Sequence, residues 1–126
     1  MSFSSDKPLF DVIYYQLEDG SYPVEEFIVA QNVKMQAKIF RTIMLLEQFG
    51  NSLREPYSKY LRDDIFELRI KTGSNISRVL YFFFEGRRVI LTNGFVKKAD
   101  RTPQAELNTA IERKARYFAE QESHNE

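Results

Sequence analysis

The chain has 126 residues, of which 43% are hydrophobic and 14% aromatic, enough to build one modest core and too many for a disordered chain. It contains no cysteine, which excludes disulfides, a thiolate metal site and a cysteine nucleophile. The longest apolar runs are too short to span a bilayer, and the N-terminus lacks the pattern of a signal peptide. We therefore expect a cytoplasmic protein without a membrane partner.

The formal net charge of zero conceals an uneven distribution of charge along the chain. Residues 1–53 carry 4 lysines and arginines against 7 aspartates and glutamates, a net charge of −3. Residues 54–101 carry 11 against 6, a net +5, and residues 102–126 carry 3 against 5, a net −2. Because a ligand responds to local potential, the basic centre favours an anionic ligand, unless the charges segregate by chance on solvated faces.

The first half of the chain predicts one strand and two helices. Phe10 to Tyr15 is rich in aromatic and β-branched residues, which favours a strand. Pro23 then stands where a helix begins, since its fixed backbone angle suits the first helical position. A second helix is predicted from about Lys34 to Phe49, where apolar residues recur at helical spacing and Gly50 occupies the C-terminal cap position.

The second half predicts three strands separated by turns. In the first, from Ile65 to Lys71, polar and apolar residues alternate strictly, so Arg69 and Lys71 share one face. The second strand is predicted from Ile76 to Phe84 and the third from Val89 to Thr92, with glycine-containing polar turns before each of them.

A last helix is predicted to begin at Thr102 and Pro103, and the polar tail from Gln121 to Glu126 is expected to fray. With residues 54–61 interpreted as a connector, the order is strand, two helices, three strands and a helix. This order predicts one α+β domain over residues 1–126, with a core from about 8 to 120. Two N-terminal helices would cover one face of a mainly antiparallel sheet, beside a C-terminal helix.

Five cations are expected to meet on the predicted sheet. In an antiparallel meander, Arg69 and Lys71 on the first strand approach Arg78 on the second. Lys97 and Lys98 would leave the third strand near the same surface. Because like charges repel, an anionic ligand explains why they stand together, although each cation taken alone is equally explained by a weak surface ion pair.

The ordered set Glu67-Leu68-Arg69, Ser77 to Phe82, Gly94 to Lys98 and Thr102-Pro103 resembles the HigB-like toxins. These form a branch, common in phage-derived genes, of the RelE/ParE superfamily of type II toxin–antitoxin systems. The resemblance covers about residues 8 to 120. It implies a RelE-like fold and an endoribonuclease that cuts mRNA in the ribosomal A site. It also implies a helix-turn-helix antitoxin, HigA-like, as partner in a hetero-oligomeric complex.

By matching position, the resemblance implies a set of four catalytic cations: Arg69, Arg78, Lys97 and Lys98. Three further residues are predicted to bind RNA: Lys71, Tyr81 and Phe95. An exposed aromatic ring among cations is suited to stacking on an unpaired base, whereas a buried ring serves only packing. The two aromatic assignments therefore depend on exposure.

No cofactor or metal is predicted. The only histidine, His124, lies in the polar tail, which excludes a pair of catalytic histidines. The carboxylates Asp63, Asp64 and Glu67 are close in sequence, but a connector and a strand hold them, and an open coordination position is not indicated. We expect attack by the 2′-hydroxyl of RNA, with arginine and lysine charges stabilising the transition state.

Two positions differ from the pattern of many relatives. Asn93 stands where they often have histidine, which bears on any general-base role there, and Phe66 stands where they often have tryptophan. An alternative function is therefore a nucleic-acid- or protein-binding module that does not cleave, either a degenerate toxin or a ParE-like gyrase inhibitor. The retained cation set favours cleavage.

Overall fold

The computed structural model describes residues 9–124, which form a five-stranded mixed sheet with helices on both faces. The elements in chain order are β1 (Asp11–Tyr14), α1 (Pro23–Val29), α2 (Val33–Phe49), β2 (Ser58–Arg62), β3 (Ile65–Thr72), β4 (Asn75–Phe84), β5 (Arg88–Val96) and α3 (Gln104–His124). The strand order is β1-β5-β4-β3-β2, with β1 parallel to β5 and the other pairs antiparallel. The predicted α+β class and mainly antiparallel sheet are confirmed.

Local sequence explains where the two N-terminal helices begin and end. Pro23 occupies the first position of α1, as predicted. The side chain of Asn32 caps α2 by accepting a hydrogen bond of 2.8 Å from the backbone N–H of Met35. Gly50 ends α2 with a φ of 49°, and a Cβ there would lie 2.2 Å from the ring of Phe10. Glycine is therefore required at this position for both conformation and space.

The prediction of a connector over residues 54–61 is wrong in its second half, because β2 begins at Ser58. Among the strands of residues 9–124, β2 pairs with β3 alone, and the pair has a register shift between Tyr60 and Arg62. Most of its side chains are exposed, so the strand lacks the alternation of apolar and polar residues that identifies a half-buried strand. Asp63 and Asp64 form the following turn, with φ angles of 54° and 62°.

Two other predicted boundaries are corrected by the structure. β5 continues to Val96 instead of ending at Thr92, because its pairing with β4 resumes at Asn93 after a register shift that skips Thr92. α3 continues to His124, so residues 121–124 of the tail are helical and not frayed. Residues 125 and 126 of the same tail lie outside the described residues.

The sheet is buried on both faces, which explains the continuous apolar run of β4. Val79 and Tyr81 point toward α1 and α2, whereas Leu80 and Phe82 point toward α3. The cover by α3 is incomplete: along that face of β3, exposure increases from buried Glu67 through half-buried Arg69 to exposed Lys71. No helix among residues 9–124 is long and apolar enough to cross a membrane.

Candidate functional site

Two arginines lie directly opposite each other at the partly open end of the sheet. Arg69 of β3 pairs in register with Arg78 of β4, and Phe95 of β5 completes the row. Side chains opposite each other on antiparallel strands have Cβ atoms about 4.5–5.5 Å apart, and like charges in this position destabilise a sheet. The arrangement therefore requires a nearby anion.

The carboxylate of Glu67 supplies this anion from two residues earlier on β3. Its Oε1 lies 3.2 Å from Nε of Arg69 and 3.3 Å from Nε of Arg78. Its Oε2 accepts a hydrogen bond from the hydroxyl of Thr102, just before α3. Glu67 is only 3% exposed and Arg78 only 6%. A buried carboxylate thus holds the two arginines and connects them to the segment that leads into α3.

Arg78 carries its positive charge in a buried position, and burial changes its pKa. Desolvation lowers the pKa of Arg78 below its ordinary value of 12.5, the nearby positive charge of Arg69 lowers it further, and the carboxylate of Glu67 opposes both effects. The guanidinium stays charged at neutral pH because arginine starts so far above it. Its buried Nε lies 3.3 Å from Oε1 of Glu67 without a well-aligned hydrogen bond, and its Nη1 donates to the backbone carbonyl of Ser77 at 3.2 Å.

Arg69 is the more accessible of the two arginines. Its side chain is 24% exposed, and Nη1 lies 3.5 Å from Oε1 of the exposed Glu55. Its backbone N–H donates a hydrogen bond of 2.8 Å to the carbonyl of Tyr57, which fixes the strand beneath it. A ligand can therefore reach Arg69 by displacing only a weak, solvated ion pair.

The predicted lysines continue the cationic surface one row further along the strands. Lys71 pairs in register with Ile76, and the backbone N–H of Lys97 donates to the carbonyl of Ile76 at 2.8 Å. Lys71 and Lys97 therefore lie on the two sides of Ile76. Lys98 follows in an exposed segment beyond the end of β5. The structure brings Arg69, Arg78, Lys71 and Lys97 to one end of the sheet, with Lys98 beside them.

The two aromatic residues predicted to bind RNA are buried. Tyr81 is 1% exposed on the face covered by α1 and α2, where its hydroxyl forms a hydrogen bond with Ser58 and burial raises its pKa to about 12. Phe95 is 8% exposed in the cluster under α3. Base stacking needs an accessible ring face, and neither ring offers one, so the structure corrects both assignments to packing.

Asn93, at the position where relatives often have histidine, forms its side-chain hydrogen bonds within the protein. Its Nδ2 donates to the backbone carbonyl of Glu106 at 3.2 Å and to the Glu106 carboxylate at 2.9 Å. Its Oδ1 accepts a hydrogen bond of 2.7 Å from the hydroxyl of Thr92. Asn93 therefore ties β5 to the first turn of α3, with its amide fully engaged by the chain itself.

A groove of about 320 Å³, which we call the edge groove, opens beside Arg69 between β2 and the segment before α3. Its charged lining residues are Lys59, Arg62, Glu67, Arg69, Asp100 and Arg101. Lys59 lies opposite Glu67 on β2. The sequence reasoning missed Lys59 and Arg101, and it did not assign the bridging role of Glu67. Lys59 lies in β2, where apolar and polar residues do not alternate. The position of Arg101 depends on the conformation of the loop between β5 and α3, which sequence periodicity does not predict.

The carboxylates Asp63, Asp64 and Glu67 do not form a metal site. Oδ2 of Asp63 is 2.6 Å from Nη1 of Arg62, and Oδ2 of Asp64 is 3.7 Å from Nζ of Lys114. Glu67 is already bound by arginines. Within residues 9–124 there is no cluster of three or more histidine, cysteine, aspartate or glutamate side chains that could hold a metal ion.

These features define an α+β domain with a cationic end on a mainly antiparallel sheet. Residues 26–115 match the family described as "Phage derived protein Gp49-like (DUF891)", and the chain belongs to this family. The matched region includes every predicted site residue.

The chain is also similar to two curated proteins of Mycobacterium tuberculosis, from strains CDC 1551 / Oshkosh and ATCC 25618 / H37Rv. Each is named "Probable endoribonuclease HigB1". Identity to each is 32% over 78 residues, which cover 62% of this chain and 62% of the relative. The chain thus matches about three fifths of the length of these relatives.

Proposed function

We propose that this protein is a RelE/HigB-type toxin of a type II toxin–antitoxin system, and that it is an endoribonuclease that cleaves mRNA on the ribosome without a metal ion. The observation that carries the proposal is the opposed pair Arg69 and Arg78, held by buried Glu67 beside two exposed or half-buried lysines. Membership of the Gp49-like family and the similarity to proteins named as endoribonucleases support it.

The arginine pair suits the charge that develops during RNA cleavage. Attack by the 2′-hydroxyl on the adjacent phosphate forms a crowded, more negative phosphorus centre and then breaks the bond to the 5′-oxygen. Donors fixed before the reaction stabilise that charge most where water is excluded, as it is around Arg78. We assign Arg69 and Arg78 to transition-state stabilisation, with Lys71 as a phosphate contact.

Proton transfer in this mechanism falls to the lysines. Asn93 cannot act as an acid or base, and its amide is occupied. Arg88, at the far end of β5 from the cations, hydrogen-bonds Gln121 of α3, so His124 lies at the end of the fold opposite the site. One of the two lysines Lys97 and Lys98 is therefore assigned to accept the proton of the attacking 2′-hydroxyl, and the other to donate a proton to the leaving 5′-oxygen.

A second function is favoured by one observation. Arg78 is 6% exposed and already paired with Glu67, so a phosphate must compete with a carboxylate to reach it. A chain in which this pair never opens would bind nucleic acid or protein without cleaving. An assay for RNA cleavage distinguishes the two functions.

We propose further that the protein acts in the cytoplasm with mRNA and the ribosome, and that a helix-turn-helix antitoxin, HigA-like, neutralises it in a hetero-oligomer. The exposed cations of residues 54–101 give such a partner a surface to cover. Co-expression with a neighbouring helix-turn-helix gene should give one stable complex on a sizing column. Separate elution with persistent toxicity would contradict this pairing.

The proposed function is tested by expressing the chain alone and mapping the 5′ ends of a translated message by primer extension. New 5′ ends within the coding region, absent with Arg69→Ala and present with Arg87→Ala, are the expected result. Arg87 is a suitable control because it is exposed in the turn at the opposite end of the sheet. Intact messages with normal growth would contradict the proposed cleavage and favour the alternative function, a binding module that does not cleave RNA.

Metal independence needs a separate experiment. The purified protein is dialysed against a chelator and then mixed with ribosomes in their own magnesium buffer. We expect full cleavage, since the charge at the site comes from side chains. Activity that is lost on dialysis and restored by one added metal would contradict the metal-free mechanism.

A further inference from the structure

The edge groove continues the cationic surface beyond the proposed site. Lys59 lies opposite Glu67 across the β2–β3 pair, and Arg69 is two residues further along β3. Diagonal neighbours of this kind have α-carbons about 7–8 Å apart. The groove thus begins where Arg69 ends and leads to the outer edge of the sheet.

Two cations of the edge groove form no salt bridge within the described part of the chain. Arg62 is 2.6 Å from Asp63, and Glu67 is occupied by the two arginines of the site. Among the side chains of residues 9–124, Lys59 and Arg101 form no salt bridge, and both are exposed. Their charges are available to an anion that enters the groove.

Tyr60 borders the edge groove, but its ring lies on the other face of the sheet from Lys59, because adjacent strand residues point to opposite faces. Tyr60 lines the groove and is 50% exposed. Its ring packs edge-to-face on Phe66, with centroids 5.1 Å apart, and its hydroxyl accepts a hydrogen bond of 3.2 Å from the backbone N–H of Asp64. The Tyr60 ring therefore packs beside the cluster under α1 and α2, whereas Lys59, opposite Glu67, lies on the face of the arginines, so recognition by the groove rests on charge.

We propose that the edge groove binds single-stranded RNA flanking the phosphate to be cleaved. In this groove Lys59 and Arg101 contact backbone phosphates. This rests on the proposed function, because it adds a binding track to the same site. Addition of a partner's strand to β2 is disfavoured, since its register shift and exposed cations are features that block edge-to-edge pairing.

The test measures binding of a short 2′-O-methyl RNA oligonucleotide, which lacks the attacking hydroxyl, by fluorescence anisotropy over a range of salt. Each lost phosphate contact should weaken binding about fivefold at 0.1 M salt and reduce the salt slope by about 0.7. Lys59→Ala and Arg101→Ala should each show this effect.

The controls separate the groove from the general charge of the protein. Arg87→Ala and Arg41→Ala remove exposed cations elsewhere, in the turn at the opposite end of the sheet and on α2, and should bind like the wild type. Equal affinities and slopes for Lys59→Ala, Arg101→Ala and these controls would overturn the edge groove, as would an absence of RNA binding by the wild type.

Cleavage of ribosome-bound message is measured on the same proteins. If the wild type cleaves RNA but Lys59→Ala and Arg101→Ala bind RNA as tightly as the wild type, the proposed role of the groove is wrong and the proposed function is retained. RNA binding that depends on Lys59 and Arg101 without any cleavage would support the groove and overturn the proposed function.

Discussion

At the residue scale, Glu67 allows two arginines to lie opposite each other. Its carboxylate contacts both Nε atoms and is almost completely buried. Desolvation of such a group is costly, but removing one partner of a buried ion pair costs more, because it leaves an uncompensated charge. Glu67 therefore has a structural role as well as a position inside the site.

Glu67→Gln should lower the free energy of unfolding by about 3 kcal/mol, because Arg69 and Arg78 then face each other without an anion. Adding Arg78→Met, which removes one of the two charges, should recover most of that loss. Urea denaturation of the two variants and the wild type measures both changes. This role would be contradicted if the free energy of unfolding of Glu67→Gln were within about 0.5 kcal/mol of the wild-type value. It would also be contradicted if the double variant were no more stable than Glu67→Gln.

Tyr81 gives a prediction for alkaline pH. Its pKa is raised from 10.0 to about 12, mainly by burial. Above pH 10 the unfolded state loses the tyrosine proton first, so the unfolded state is favoured as pH rises. The stabilisation is complete below pH 10 and is lost by about pH 12, a change of about 2–3 kcal/mol.

This loss should be smaller in Tyr81→Phe, which has no proton to release and lacks the hydrogen bond to Ser58. Denaturation curves between neutral and alkaline pH measure the difference. Tyr57→Phe, at an exposed tyrosine, is the matched control. The idea fails if Tyr81→Phe and the wild type lose stability equally over this range.

Part of the site could be predicted from the sequence at this scale. Strict alternation in residues 65–71 places Arg69 and Lys71 on one face, and in-register pairing brings Arg78 opposite Arg69. The burial of Tyr81 and Phe95 could not be predicted, because an aromatic residue in a strand has the same local pattern whether a helix covers it or not. The bridging by Glu67 depends on side-chain geometry that periodicity does not describe.

At the element scale, the strength of the local signal decided which elements were predicted. β3, β4 and α2 have clear periodicity or a long apolar run, and their predicted bounds agree with the structure within one residue. β2 was missed because an exposed edge strand needs no apolar alternation. The helical residues 121–124 were missed because contacts such as Arg88 to Gln121 hold the end of α3, and polar composition does not reveal them.

Arg88 connects β5 to α3. Its Nη1 donates to the hydroxyl of Tyr117 at 2.9 Å and to Oε1 of Gln121 at 3.3 Å, and its Nη2 lies 2.8 Å from Oε1 of Glu85. Its guanidinium also lies 4.7 Å from the centroid of the Phe84 ring. Arg88 therefore contributes to the packing of α3 on the sheet.

Arg88→Ala should lower the free energy of unfolding by about 1–2 kcal/mol through the loss of these hydrogen bonds and the ring contact. Arg87→Ala, one residue earlier and exposed, should change stability by less than about 0.5 kcal/mol. Thermal or urea unfolding of the two variants makes the comparison. Equal stabilities would show that Arg88 does not hold α3.

At the scale of the whole molecule, the positions of the helices determine which parts of the sheet are covered and which are accessible. α1 and α2 cover one face of the sheet with a continuous apolar cluster, whereas α3 packs over the other face and leaves the end at Lys71 exposed. The excess of positive charge in residues 54–101 is therefore concentrated on the strands that carry the site, while the acidic segments supply the helices. A neutral protein can in this way present a basic surface to RNA.

The central claim is that Arg69 and Arg78 stabilise the transition state of RNA cleavage. The direct measurement is single-turnover cleavage of ribosome-bound message by Arg69→Ala, Arg78→Ala and Arg87→Ala, after circular dichroism has confirmed that each variant is folded. The account predicts rates lowered about a hundred- to a thousand-fold for Arg69→Ala and Arg78→Ala, and an unchanged rate for Arg87→Ala. Cleavage by Arg78→Ala at the wild-type rate, or an Arg87→Ala variant as slow as Arg78→Ala, would contradict it.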